Sequence, residues 1–73
     1  MSKPPLLTPR EIIRAFKKIG YTIVHQKGSH IKLMNYETGM ILIVPNHREV
    51  DRWTLKAIIK DAGISIEEFV ALL

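Results

Sequence analysis

Two glycine-containing interruptions do most to limit what this chain can fold into. Lys27-Gly28-Ser29 and Asn35-Tyr36-Glu37-Thr38-Gly39 cut residues 21–44 into three short apolar runs, Tyr21 to Gln26, His30 to Asn35 and Met40 to Val44. β-Branched and aromatic residues favour strands in such runs. Links this short cannot carry a parallel crossover, so the strands must be antiparallel neighbours. In the second run Ile31 and Leu33 fall on one face, with His30, Lys32 and Met34 on the other. The apolar pair is expected to face the core, which leaves His30 and Lys32 together on the wetter side. By the same alternation His25 falls with Tyr21 and Ile23. The third run is apolar on both faces, as expected for the middle of a sheet or for an edge covered by a partner. Pro45 stops it.

Helix signals flank the strands. Thr8 with Pro9 and Glu11 forms a capping box with a proline-set first turn. Ile12, Ile13, Ala15, Phe16 and Ile19 follow on one apolar face, and Gly20 is the expected stop. Asp51 caps a second helix over Arg52 to Ala62, whose core stripe is Leu55, Ile58, Ile59 and Ala62, with Gly63 after it. Ser65 and Glu68 make a second capping box ahead of a short last helix through Ile66, Phe69, Val70 and Leu73. The prolines make residues 1–7 an extended arm. The expected fold is α+β with two layers: helix, three antiparallel strands, helix and short helix in one domain over residues 1–73.

Charge narrows the partner. All eleven lysines and arginines lie in residues 1–60, against four acids there, a net +7; the last thirteen residues are −3. A basic body this small fits either a polyanionic partner or a solubilising surface. Arg10, Arg14, Lys17 and Lys18 form a stripe on the first helix, and Arg52, Lys56 and Lys60 form a second, at i, i+4 and i+8, on the next. Combined with Lys27, Lys32 and Arg48, they favour nucleic acid. With no cysteine, the chain has neither a disulfide nor a thiolate metal site. No run approaches the roughly 20 apolar residues of a membrane span, and no signal-peptide core is present. The cytoplasm is the expected compartment.

Histidine can exchange protons near neutral pH without special tuning. RNA cleavage requires this: a base takes the 2′-hydroxyl proton, and an acid protonates the leaving 5′-oxygen. His30 has Lys27 and Lys32 close in sequence to stabilise phosphorane charge. Gly28 allows backbone N–H groups near a phosphate, and Ser29 adds a donor. On these residues alone, His30 fits both a catalytic group and a surface histidine at a strand start. His47 fits both a second acid or base and a solvated loop residue, while His25 fits a packed or surface role best. The three histidines lack metal-ligand spacing, so no metal or other cofactor is expected. Trp53, off the core stripe, fits packing against the first helix or an exposed contact for a partner.

Gly20-Tyr21, Gln26-x-Gly28-Ser29-His30, Val44-Pro45-Asn46-His47, Thr54-Leu55 with Ile58, Ala62-Gly63-Ile64 and Glu67-Glu68-Phe69 together resemble the HicA family of toxins. The resemblance runs from Arg10 to Leu73. It implies a double-stranded-RNA-binding-like fold and metal-independent endoribonuclease activity on mRNA, which halts translation and growth. The family's catalytic histidine falls on His30. Its partner would be a HicB-type antitoxin that masks the active site in a hetero-oligomer, the toxin alone being monomeric. The expected phosphate contacts are Lys27, Gly28, Ser29, Lys32, Arg52 and Lys56. The alternative is a double-stranded-RNA-binding module without catalysis. One position departs from the family: many relatives carry glycine where Trp53 stands.

Overall fold

The computed structural model describes residues 6–73. Chain order is α1 (Pro9–Lys17), β1 (Tyr21–Lys27), β2 (His30–Asn35), β3 (Ile41–Pro45), α2 (Arg52–Asp61) and α3 (Ile66–Val70). The three strands form one antiparallel sheet in the order β1-β2-β3. The expected α+β arrangement is therefore the observed one. β2 is central, so the doubly apolar third strand is an edge and not the middle.

Local chemistry explains the ends of the elements. Thr8 accepts from the Glu11 N–H at 3.3 Å, while the Glu11 carboxylate accepts from the Thr8 N–H at 3.0 Å. The first helix stops sooner than Gly20 would indicate. Lys18, Ile19 and Gly20 donate to carbonyls three residues back, so the chain tightens after Lys17. Asp51 caps α2 by accepting from the Thr54 N–H at 2.9 Å and the Thr54 hydroxyl at 2.7 Å. With tryptophan at its second residue the helix still starts in ordinary geometry. Ser65 and Glu68 close their own capping box on α3.

The helices share one layer. α1 packs on β1 and β3, and α2 packs on β3 and α3. Ile31 and Leu33 of β2, and Leu42 and Val44 of β3, are buried beneath them. Phe16 stacks on Tyr21 edge-on at 5.4 Å and on Phe69 at 5.2 Å. Each fully buried side chain of this kind contributes about 1.5–3 kcal/mol. Leu7 is buried and forms an antiparallel bridge with Val50, so the end of the expected arm belongs to the core. Leu6 beside it is exposed, and residues 1–5 of that arm lie outside the described residues.

Asn35 is the buried polar side chain among the described residues. Its amide donates to the Ile19 carbonyl at 3.1 Å, and its side-chain oxygen accepts from the Glu37 and Thr38 N–H groups at 3.0 and 3.3 Å. This one residue ties the end of α1 to the β2–β3 turn. Gly20 sits against it: a Cβ there would lie 3.2 Å from the Asn35 amide, and its φ of +100° already disfavours a side chain.

Candidate active site

The β1–β2 turn is as tight as a hairpin can be. Lys27 pairs with His30, leaving only Gly28 and Ser29 between them. Gly28 has φ +56° and Ser29 is not in the positive region, the glycine-first arrangement of a type II′ turn. Backbone geometry thus requires glycine here. No heavy atom beyond its chain neighbours lies within 4 Å of a Cβ built at Gly28, so the turn stands open.

Strand register decides which side chains share a face. On β2, Ile31, Leu33 and Asn35 are buried while His30 is exposed and Lys32 and Met34 are half-buried. His30 and Lys32 therefore lie together on the sheet face away from the helices. On β1 a bulge falls between Ile23 and His25: Ile23 pairs with Leu33, His25 with Lys32, and Val24 is the extra residue. The bulge reverses the alternation downstream. This overturns the expectation that His25 shares a face with Tyr21 and Ile23. His25 and Lys27 instead lie on the open face beside Lys32 and His30, and directly opposed residues across such a ladder have Cα atoms about 4.5–5.5 Å apart. On the other side Pro45 opposes His30, Ile43 opposes Lys32 and Ile41 opposes Met34.

The loop after β3 is drawn to the same end. The Asn46 N–H donates to the Ser29 carbonyl at 2.6 Å, tying residues 46–47 to the turn. His47 is exposed one residue beyond that contact. Among the described residues, no hydrogen bond holds the side chains of His30, His47 or Ser29. Arg52 and Lys56 sit elsewhere, on exposed positions of α2 in the helical layer. Lys56 Nζ lies 5.9 Å from the centroid of the Trp53 ring, and Trp53 is 81% exposed, not packed against α1. The structure thus groups Lys27, Gly28, Ser29, His30 and Lys32 at one end of the sheet with His47 nearby, and separates Arg52 and Lys56 from them.

What this arrangement can do follows from residue type. An exposed imidazole flanked by two ammonium groups can exchange a proton with a bound phosphodiester while the cations offset its charge. No group of three or more His, Cys, Asp or Glu among the described residues is placed to hold a metal ion. Strand counting missed His25 on this face. The available signal was the polar His25 at an inward position following two successive apolar residues, Ile23 and Val24, which regular alternation does not accommodate.

Residues 9–64 match the family model described as the HicA toxin of bacterial toxin–antitoxin. The match spans α1, the whole sheet and α2. A search of curated proteins finds no match.

Proposed function

The chain belongs to the HicA toxin family of bacterial toxin–antitoxin systems, and from that premise we propose that it is an endoribonuclease that cleaves mRNA. The substrate's own 2′-hydroxyl attacks the adjacent phosphorus. The P–O5′ bond breaks, leaving a 2′,3′-cyclic phosphate on one product and a 5′-hydroxyl on the other. His30 acts as general base or general acid on this reaction, and His47 is the second titrating group. Lys27 and Lys32 stabilise the charge gathering on the phosphorane, and Gly28 and Ser29 hold the phosphate through the turn backbone and the serine hydroxyl. Arg52 and Lys56 contact the RNA backbone away from the reacting bond. A metal ion is not required, because side chains supply the acid, the base and the counter-charge. In the cell the chain would act in the cytoplasm, and a HicB-type antitoxin would restrain it by covering this face.

The observation that carries the reading is the ladder pairing of His30 with Lys27, with Lys32 two residues along the same open face. The test is the chemistry of the ends. Incubation with a single-stranded RNA in the presence of a chelator should yield cyclic-phosphate and 5′-hydroxyl termini. The same oligonucleotide with one 2′-deoxy sugar at the cleaved position should be left intact there. RNA that is bound but never cut would favour the non-catalytic binding module instead.

A further inference from the structure

A second basic site lies on the helical side of the same turn. Between α1 and the β1 edge runs an open groove of about 790 Å³. Arg10, Arg14 and Lys17 line one wall, and Gln26 and Asn46 line the end nearest the β1–β2 turn, with Ile23 at the β1 edge. Among the described residues, no carboxylate lines it. Glu11, on the same helix, has its carboxylate bonded to Thr8, although its charge still reaches Arg14. The helix stripe read from the sequence divides here. Lys18 turns away and donates to the Leu72 carbonyl at 2.6 Å, whereas Arg10, Arg14 and Lys17 face the groove.

We propose that this groove binds the phosphodiester backbone of the single-stranded RNA on one side of the scissile bond. The proposal rests on the ribonuclease reading above and gives the substrate strand its path. Position carries it. Gln26 and Asn46 mark the groove's end, and the Asn46 N–H is the group bonded to the Ser29 carbonyl. The groove therefore meets the candidate active site across the thickness of a single turn. A strand whose reacting phosphate lies at His30 crosses Gly28-Ser29 and enters the groove within a nucleotide or two. Three cations spread over two helical turns suit a chain of phosphates better than one anion. Gln26 and Asn46 add neutral donors and acceptors that a base edge or a 2′-hydroxyl can use. Pro9, Ile13 and Ile31 put apolar surface at the groove's floor, and three cations with no facing carboxylate favour a polyanion over a protein partner.

The experiment uses the full chain and a 12-nucleotide single-stranded RNA. Arg10→Gln, Arg14→Gln and Lys17→Gln are combined, since glutamine keeps helix propensity while removing charge. In a His30→Ala background, which prevents turnover, affinity should weaken about tenfold or more at low salt. The slope of log K against log salt should flatten by about 2, at about 0.7 for each lost single-strand phosphate contact. In the active chain the half-saturating RNA concentration should rise while the rate at saturating RNA stays unchanged. Should the triple variant unfold, the single changes Lys17→Gln and Lys18→Gln decide: the first should weaken binding several-fold and its neighbour should not. Parental affinity and salt slope in the triple variant would overturn the proposal. So would unchanged RNA binding alongside weakened antitoxin binding, which would make the groove a protein site. Failure of the parent chain to cut RNA would remove the ribonuclease reading but leave the binding measurement standing, so the two fail separately.

Discussion

Two glycine-containing turns close the hairpins of the sheet, one at each end of the central strand. The turn after β2 is held from many directions. Asn35 donates its backbone N–H to Met40 at 2.9 Å and accepts from the Gly39 N–H at 2.7 Å, and its buried side chain makes three more hydrogen bonds, one of them to Ile19 just after α1. Thr38 adds a bond to the Met40 N–H at 3.2 Å. The turn after β1 has its strand ladder and one outside tie, from Asn46 to the Ser29 carbonyl. One turn has its polar groups consumed by the fold. The other leaves a serine, an imidazole and two ammonium groups facing outward. Chemistry on a ligand requires groups that folding has not already used, which is why the looser turn is the one to which function is assigned.

Breaking the held turn should have the largest effect on stability. Asn35→Ala removes the partner of a part-buried carbonyl and of two N–H groups, at a cost of about 2 kcal/mol. Thermal unfolding should then fall by about 8–16 °C for a domain of this size, while cleavage by the protein that remains folded is unchanged. A stability loss within experimental error would mean that Asn35 does not carry the turn.

A pair of matched glycines sharpens the contrast. Gly28 and Gly39 both have positive φ, and both have open space where a Cβ would go. Alanine at either should cost about 1–2 kcal/mol for backbone reasons alone. The two variants should therefore melt within a few degrees of each other. Only Gly28→Ala should slow RNA cleavage, because only that turn sets the position of His30. Equal slowing by both would erase the distinction between the turns.

The smallest effect concerns acid. Glu11 accepts the Thr8 backbone N–H and then its hydroxyl, and Asp51 accepts the Thr54 backbone N–H and then its hydroxyl; both carboxyls are held below the ordinary range. A depressed folded-state value means the stabilisation is present above the unfolded value and is lost as pH falls through the folded one. The melting temperature should therefore drop as pH is lowered below about 4. Glu11→Gln with Asp51→Asn keeps both caps but removes the charges, so that variant should show a shallower drop. A steeper one would contradict the assignment.

Elements and caps were legible because they are written in local chemistry. Thr8 with Glu11, Asp51, and Ser65 with Glu68 name their helix starts, and the two glycine turns enforce the antiparallel order. Other features depend on what lies across space. The bulge at Val24 inserts one residue whose only local sign is His25 at an inward position after two apolar residues, and it carried His25 and Lys27 to the face that simple alternation denied them. Burial of Asn35 was hidden because asparagine next to a glycine loop reads as turn; its role comes from the Ile19 carbonyl, sixteen residues earlier. The edge position of β3 likewise follows from sheet order, which an apolar run does not encode. Of the candidate site, His30 and Lys32 were legible as a pair because period-two alternation puts them on one face, while Lys27 was legible only as their close neighbour in sequence. Separation of Arg52 and Lys56 from them was not, since charge counting does not distinguish layers. The family match then shows what spacing alone left open, that the chain belongs to the HicA toxins.

The most direct measurement compares His30→Ala with the parent chain on one RNA, reading single-turnover cleavage, RNA affinity and thermal stability together. The His30 side chain is exposed and makes no hydrogen bond among the described residues, so its removal should leave melting temperature and affinity close to the parent's. Cleavage should fall by about 10²–10⁴-fold, the range of a lost general acid or base. Cleavage at the parental rate by the folded variant would contradict the account.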